Sequence, residues 1–401
     1  MKCLQISEKI KNIRVSGTIK MADLARELQQ EGKDIIELNE GEPDFDTPDC
    51  VIDSSFQAAK SGQTRYTAVS GTLELREAVV KKFLKNKVKY TVDEIIVGSG
   101  AKQLIFNALF STINPSDEVI IPAPYWVSYP DIVKLADGVP VIIKCKENND
   151  FKITDKQLRE SLTQKSRWLI LNSPGNPTGA VYSSDELLAL AEIIRLFPNL
   201  SVICDDIYES ITFDNHNFAT LVEVAPDLKE RVLTVNGVSK SYAMTGWRIG
   251  YAGGPLDLIN AMKKLQGQST TNASSVGQAA ALAALNGSQE ILIDWNVAYK
   301  RRMNIVFDEL SKVEDLTLRK PQGAFYLFVN CAKLLGKTTA SGVILKTDID
   351  ICTYFIQEAL VALVPGSEFG CPGYFRLCFA KSDQQLKEAC SNLVSAIHNL
   401  V

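Results

Sequence analysis

One lysine of the chain has the surroundings that a nucleophilic amine requires. Lys240 lies in VNGVSKSYAMTGWRIGY, residues 235–251, among small and apolar residues. Such surroundings would strip water from the ammonium group and lower its pKa, as an imine-forming lysine needs. Arg248, eight residues further on, offers a planar fork of donors for a phosphate. Taken alone, Lys240 also fits a solvated surface position, because lysines are seldom buried.

A second stretch, VGSGAKQ at residues 97–103, is suited to binding an anion. It lies between a predicted strand and a predicted helix, whose first turn has free N–H groups. Small residues let the backbone come close to the ligand, so Gly100, Ala101 and Lys102 are the natural donors. An ordinary strand-to-helix turn explains the stretch equally well.

Two further stretches place polar side chains after apolar strands. NSPGNPTG, residues 172–179, combines two prolines with two glycines, and this constrained loop would present the amide of Asn176. In ICDDIYE, residues 203–209, Asp205 follows an apolar run directly, where a carboxylate is costly unless it is paired. Tyr208 lies three residues later and would face the same ligand if a helical turn follows. A plain loop and a solvated turn are the alternatives.

Together these stretches resemble the fold-type I enzymes that use pyridoxal 5′-phosphate (PLP), and within them the class I aminotransferases. The likeness is greatest to the bacterial aspartate aminotransferase branch, some of whose members also accept prephenate. It extends from GEPDFDTP at 41–48 to YFRLCFA at 374–380, with the motifs in the order of the family. SKxxxxTGWRIGY combined with NPTG and DxxY is highly specific, whereas each motif alone would be weak.

The resemblance implies a role for each matching residue. Lys240 matches the catalytic lysine that holds the cofactor as a Schiff base, and Arg376 matches the clamp for the substrate α-carboxylate. Gly41 lies in the loop that closes on the substrate, which Trp126 and Asn176 would also contact. The implied cofactor contacts are Asp205 at the pyridine nitrogen, Tyr208 and Asn176 at the phenolic oxygen, Trp126 against the ring, and Gly100, Ala101, Lys102 and Arg248 around the phosphate.

Three further positions concern the neighbouring subunit, the cofactor phosphate and the substrate side chain. Tyr66, in TRYTAVSG, matches a tyrosine that reaches the cofactor phosphate of the neighbouring subunit, which implies a homodimer with a shared active site. Gly237 departs from the family, because many members have a phosphate-binding serine three residues before the lysine. Arg14 is a candidate contact for the substrate side-chain carboxylate, although a solvated N-terminal charge fits it equally well.

The implied activity is transfer of the amino group of aspartate to 2-oxoglutarate by a ping-pong mechanism. Alternatives within enzymes are an aminotransferase for prephenate or aromatic amino acids, and a PLP-dependent lyase or synthase on the same fold. A third alternative is a phosphate-binding α/β protein without PLP. A ligand-sensing regulator is disfavoured, because we expect no N-terminal segment long enough for a DNA-binding domain.

The chain around these motifs has the pattern of an α/β protein. From Glu94 to Gly254, nearly continuous apolar runs alternate with helical segments, which predicts a mostly parallel sheet covered by helices on both faces. After this region a long helix is expected to join a smaller α+β lobe, which both chain ends would form. The predicted division is an N-terminal segment at 1–47, a large cofactor-binding domain at 48–295 and a small domain at 296–401.

Composition excludes several other classes of protein. The 401 residues include two histidines, so no multi-histidine metal site can form and no metal is predicted. A net charge of −4 without long blocks of one sign indicates neither nucleic acid nor a membrane surface as a partner. Nine scattered cysteines without a CxxC pair, and no apolar signal segment, favour reduced thiols and a cytoplasmic location.

Overall fold

The structure of the chain, a computed structural model, describes residues 4–11, 13, 17–214 and 216–401. The candidate residue Arg14 lies outside the described residues. In the described part of the chain, no helix has the length and apolar character needed to span a bilayer.

The strands form three sheets. In chain order they are β1 (Ile36–Glu37), β2 (Ile95–Gly98), β3 (Glu118–Ala123), β4 (Val139–Lys144), β5 (Ser166–Asn172), β6 (Ser201–Asp205), β7 (Val232–Gly237), β8 (Gly250–Gly253), β9 (Thr317–Leu318), β10 (Tyr326–Asn330), β11 (Val361–Ala362), β12 (Val364–Pro365) and β13 (Tyr374–Cys378). The largest sheet has the order β2-β8-β7-β6-β5-β3-β4. Only β8 in this sheet runs antiparallel to its neighbours.

The α-helices surround these sheets. They are α1 (Glu8–Lys11), α2 (Gly17–Gln30), α3 (Asp49–Lys60), α4 (Leu73–Lys85), α5 (Ala101–Thr112), α6 (Ser128–Leu135), α7 (Asp155–Ser161), α8 (Ser184–Leu196), α9 (Leu221–Val224), α10 (Leu256–Gly267), α11 (Ser275–Asn286), α12 (Glu290–Leu310), α13 (Asp348–Glu358) and α14 (Asp383–His398). Most begin at a residue suited to capping; Ser183, for example, forms a capping box with Glu186 at the start of α8.

Both faces of the large sheet are buried along its central strands, as the apolar runs of these strands require. Along β5, Trp168 and Ile170 pack in one cluster with residues of α5, α6 and α10. Leu169 and Leu171 point to the opposite face and pack with residues of α4, α8 and α11. Alternate side chains of one strand therefore enter two different cores. The prediction of a mostly parallel sheet with helices on both faces is confirmed.

A smaller lobe lies beside this sheet and draws on both ends of the chain. Its antiparallel sheet has the order β12-β13-β10-β9, and β1 pairs in parallel with β11. Leu38 from the N-terminal part and Phe375 from β13 share one buried cluster, which also contains residues of α12, α13 and α14. The domain boundaries at 47/48 and 295/296 stay a prediction; α12 runs without interruption across the second of them.

One edge of the large sheet collects the chain segments that carry the predicted site residues. β2, β5, β6 and β7 run parallel to one another, so their carboxyl ends meet at this edge. β8 runs the other way and therefore begins there. In open α/β sheets, ligands bind beyond the carboxyl ends of the strands.

Candidate active site

A cavity of about 360 Å³ opens at this edge, between the large sheet and the smaller lobe. Most of the predicted site residues line it: Gly41, Ala101, Lys102, Trp126, Asn176, Asp205, Tyr208, Lys240, Arg248 and Arg376. They come from segments separated by up to 335 positions in sequence, since Gly41 and Arg376 lie near opposite chain ends. The fold thus brings together residues that no local pattern connects.

Lys240 follows the carboxyl end of β7 and points its amine into the cavity. Its Nζ donates a hydrogen bond to the carbonyl oxygen of Gly41 at 2.6 Å. Burial lowers the pKa of Lys240 to about 8, and this effect outweighs that of nearby Cys378 and Glu42, which raise the pKa. A substantial fraction of this amine is therefore neutral near physiological pH, which is the form that attacks a carbonyl or accepts a proton.

Asp205 ends β6 and is buried. The hydroxyl of Tyr129 donates to its Oδ2 at 2.6 Å, while no described residue donates to Oδ1. Burial raises the pKa of Asp205 to about 6, although the bond from Tyr129 acts in the opposite direction. Asn172 holds the backbone, because its Nδ2 donates to the Asp205 carbonyl at 2.8 Å. The arrangement leaves one carboxylate oxygen able to accept a bond from a ligand.

Tyr208 lies one turn beyond Asp205 and is also buried. Its hydroxyl is 2.7 Å from that of Tyr326, a residue of β10 in the smaller lobe. Burial raises the pKa of Tyr208 well above its ordinary value, so the phenol stays neutral and can donate. Asn176 is held by the loop after β5, where its backbone N–H donates to Asn172 Oδ1 at 2.8 Å.

Arg376 projects from β13 and is almost fully buried. Its Nη1 donates to Asn176 Oδ1 at 3.0 Å, and its Nη2 donates to the carbonyl of Asn39 at 2.5 Å. The guanidinium also lies 4.5 Å from the ring centre of Tyr326 and 5.1 Å from that of Phe369. A buried guanidinium held in this way is oriented for a planar carboxylate, which it can bind through two parallel hydrogen bonds.

The opposite end of the cavity concentrates positive charge at the start of α5. Gly100 has φ +88° there, a conformation that favours glycine, and a Cβ on it would lie 2.3 Å from Nη2 of Arg248, whose side chain would have to move away. Arg248 donates from Nη1 to the carbonyl of Thr245 at 2.7 Å. Lys102 lies over the ring of Trp126 at 4.7 Å, and burial lowers its pKa. Two cations and a helix N-terminus make this end suitable for a phosphate.

The comparison with known proteins agrees with this geometry. The family described as "Aminotransferase class I and II" matches residues 33–393. The chain belongs to this family.

Individual relatives are similar over nearly the whole length of this aminotransferase. A protein of Rickettsia felis named "Probable aspartate/prephenate aminotransferase" is 47% identical over 98% of this chain and 96% of its own. The crystal structure of the aspartate aminotransferase from Rhizobium meliloti is 46% identical, with a TM-score of 0.97 and full coverage of both chains. The aspartate aminotransferase from Thermus thermophilus with maleate is 34% identical, with a TM-score of 0.92 and coverage of 98% and 100%.

Gly237, where many class I aminotransferases have a serine, has little room for a side chain. A Cβ at this position would lie 3.0 Å from the carbonyl oxygen of Ile249 and 3.1 Å from Cα of Gly250. A larger residue would therefore push against β8. Ser239, two residues later, lines the cavity and offers a hydroxyl from the same loop.

Tyr66 does not line the cavity of its own chain. Its side chain is 89% exposed, which is unusual for a large aromatic residue. The described residues of one chain therefore leave its hydroxyl available to another molecule. The prediction that Tyr66 completes the site of a partner subunit stays a prediction.

Several residues of this aminotransferase site were missing from the sequence prediction. Tyr129 belongs to the same APYWVSY stretch as Trp126, one helical turn further on, and this spacing was the available signal. Asn172 opens the NSPGNPTG loop that was already singled out. Tyr326, in GAFYLFVN, gave no local signal, because its role depends on how the smaller lobe packs against Tyr208.

Proposed function

We propose that this chain is a PLP-dependent aminotransferase that moves the amino group of aspartate to 2-oxoglutarate. The observation that carries the proposal is the convergence of three buried groups in one cavity. These are the amine of Lys240 with its lowered pKa, the carboxylate of Asp205 with one unpartnered oxygen, and the guanidinium of Arg376. Relatives named aspartate aminotransferase support the substrate.

The residues present fit the cofactor at both of its ends. Asp205 Oδ1 is buried without a described donor, and a protonated pyridine nitrogen would satisfy it. Lys102, Arg248 and the first turn of α5 would hold the phosphate. Trp126, which lines the cavity between these ends, would lie against the ring. Lys240 would hold the cofactor covalently, and Asn176 and Tyr208 would donate to its phenolic oxygen.

The protein residues then divide the work of the reaction. When bound, PLP supplies an electron-withdrawing ring that stabilises negative charge on the substrate Cα. Arg376 binds the α-carboxylate of the substrate and fixes the direction of its Cα–H bond. Lys240, with a pKa of about 8, would take the proton from the substrate Cα and return it on the far side of the amino nitrogen, at the carbon that the cofactor supplies. Asp205 would accept a hydrogen bond from the protonated ring nitrogen of the cofactor and so favour its positive charge. The first 2-oxo acid leaves before the second binds, so ping-pong kinetics are expected.

In a second candidate reaction, prephenate is the acceptor of the amino group. The Rickettsia felis relative is named for both aspartate and prephenate at 47% identity, about the same as the Rhizobium meliloti protein. Maleate, a dicarboxylate, accompanies the Thermus thermophilus enzyme, which favours a substrate with two carboxylates. A panel of amino donors with 2-oxoglutarate, ranked by kcat/KM and run beside prephenate as acceptor, decides between them. Aspartate ranking below aromatic donors would contradict the proposal.

The lysine assignment is tested by trapping the cofactor. Borohydride should attach PLP to Lys240 in the wild type, as peptide mapping would show, and Lys240→Ala should lose both this attachment and nearly all turnover. Lys165→Ala, at an exposed lysine, is the matched control and should behave as the wild type. Equal attachment in the Lys240→Ala protein would contradict the assignment.

We also propose that the functional unit is a homodimer in the cytoplasm. The exposed Tyr66 of each chain would reach the cofactor phosphate of the other, which the family likeness supports. The scattered, unpaired cysteines of the described chain agree with a reducing compartment. The division into segments 1–47, 48–295 and 296–401 belongs to the same proposal, with the cavity between the two larger parts.

A further inference from the structure

Tyr326 occupies a central position in the cavity wall that the proposed reaction does not yet use. It comes from β10 of the smaller lobe, it is 1% exposed, and its hydroxyl lies 2.7 Å from that of Tyr208. Its ring faces the guanidinium of Arg376 at 4.5 Å. Gly41 packs directly against it, because a Cβ on Gly41 would lie 2.2 Å from the Tyr326 hydroxyl oxygen. The carbonyl oxygen of Gly41 accepts a hydrogen bond from the amine of Lys240.

The hydrogen bond between the two tyrosines can have either direction when the cavity holds no ligand. Each phenol has one hydrogen to donate and can accept as well. Burial raises the pKa of both tyrosines. Arg376 lowers the pKa of Tyr326, but by less than burial raises it, so both hydroxyls keep their hydrogens. Once Tyr208 donates its single hydrogen to an anionic oxygen, it has none left for Tyr326. The bond then has one possible direction, from Tyr326 to Tyr208.

We propose that Tyr326 is a positioning residue that donates to Tyr208 and thereby directs the Tyr208 hydrogen at the phenolic oxygen of the cofactor. This inference rests on the proposed function. Tyr326 touches Tyr208 directly and acts on the cofactor through it. Because Tyr326 belongs to β10 of the smaller lobe and Tyr208 to the turn after β6, the packing of these two parts of the chain sets the distance over which Tyr326 donates.

The loss of the Tyr326 hydroxyl has a predictable direction. Hydrogen bonds in a chain polarise one another, so Tyr208 becomes a weaker and less directed donor when its own donor is removed. Negative charge on the phenolic oxygen is then less stable, and the protonated form of the bound cofactor persists to higher pH. We expect Tyr326→Phe to raise the pH midpoint of the visible cofactor band by about 0.5 to 1 pH unit.

The experiment records the visible spectrum of the cofactor-loaded protein against pH in four proteins. These are the wild type, Tyr326→Phe, Tyr208→Phe and the double variant. If Tyr326 acts through Tyr208, the double variant should have the midpoint of Tyr208→Phe alone. Tyr299→Phe is the matched control, because Tyr299 is equally buried and its hydroxyl has no described hydrogen-bond partner. Its midpoint should equal that of the wild type.

Two results would overturn the inference: an unchanged midpoint in Tyr326→Phe, or a shift of full size in the Tyr208→Phe background. Replacement of Tyr326 by 3-fluorotyrosine, a stronger donor of nearly the same shape, should lower the midpoint and serves if Tyr326→Phe does not fold. Unfolding temperatures of the cofactor-free proteins show whether they do. A wild type without any visible band would instead contradict the proposed function.

Discussion

The hydroxyl of Tyr129 lies 2.6 Å from Oδ2 of Asp205, and this contact decides which carboxylate oxygen is left for a ligand. Both residues are buried, so the bond is shielded from water and relatively strong. It stabilises the charged form of Asp205 and opposes the effect of burial on its pKa. Tyr129 therefore helps to keep a carboxylate where the proposed reaction needs negative charge.

Removal of this hydroxyl should weaken the site while the fold is kept. We expect Tyr129→Phe to raise the pKa of Asp205 further and to lower kcat by about 5- to 20-fold, equivalent to one buried hydrogen bond. The affinity for PLP, measured by titration of the cofactor-free protein, should fall with it. Wild-type kcat and affinity together would show that the contact has no functional effect.

The raised pKa of Asp205 also predicts how stability depends on pH in the cofactor-free protein. Folded Asp205 titrates near pH 6 and unfolded Asp205 near 3.8, so below pH 3.8 both states carry the proton. Between these values only the folded state keeps it, and the free energy of unfolding falls as pH rises. Above pH 6 the free energy of unfolding has fallen by the full amount, about 3 kcal/mol.

Asp205→Asn should remove this loss, since an amide does not titrate. Relative to the wild type, the variant should gain stability between pH 4 and pH 6.5 and then keep a constant advantage, measured by urea unfolding of the cofactor-free proteins. Asp53→Asn, at an exposed position, is the control and should show no such pH-dependent gain. A stability difference that is flat from pH 4 to pH 8 would contradict the assigned pKa.

Arg376 should affect every amino-acid substrate to the same degree, because the α-carboxylate is common to all of them. We expect Arg376→Leu to raise KM about 10- to 150-fold for dicarboxylic and monocarboxylic donors alike, which corresponds to a charge-assisted pair. Arg376→Lys keeps the charge but loses the planar fork, so it should recover only part of the loss. An effect confined to dicarboxylic donors would place Arg376 at the side-chain carboxylate instead.

The shared active site can be tested by mixing subunits. Lys240→Ala and Tyr66→Ala homodimers should each be impaired, the second through PLP binding that is about 10- to 100-fold weaker. A mixed dimer would combine an intact Lys240 from one chain with an intact Tyr66 from the other, so one of its two sites would be whole. If confirmed mixed dimers of folded chains regain no activity, Tyr66 does not act across the interface.

The sequence alone predicted those parts of the site that follow strands. Asp205 ends one apolar run, and Asn176 and Lys240 lie in the loops that follow the two neighbouring runs. Because parallel strands end at a common edge, the meeting of these residues in the cavity could be anticipated. The apolar run that contains β8, RIGYAGG at residues 248–254, begins two residues before the strand itself. Arg248 has φ +58°, which is not extended backbone, so β8 starts at Gly250.

Contacts between residues far apart in the chain could not be predicted from the sequence. Tyr208 and Tyr326 are 118 positions apart, and their 2.7 Å separation depends on the packing of the smaller lobe against the large sheet. The backbone carbonyl of Asn39 accepts a hydrogen bond from Arg376, and the residue type at position 39 does not indicate what its backbone binds. Such pairs follow from tertiary packing, which local patterns do not encode.

The reversed direction of β8 has a consequence for how the chain tolerates changes of length. Lys240 follows β7 and Arg248 precedes β8, so a connection of twelve residues, 238–249, holds both at the same edge. One residue added within β8 would turn every later side chain of the strand to the opposite face. Gly250 could not absorb the change, because a Cβ there would lie 2.4 Å from the backbone nitrogen of Ala101. Insertions should therefore be far better tolerated in the exposed loop at residues 340–344 than in β8 or in the connection 238–249.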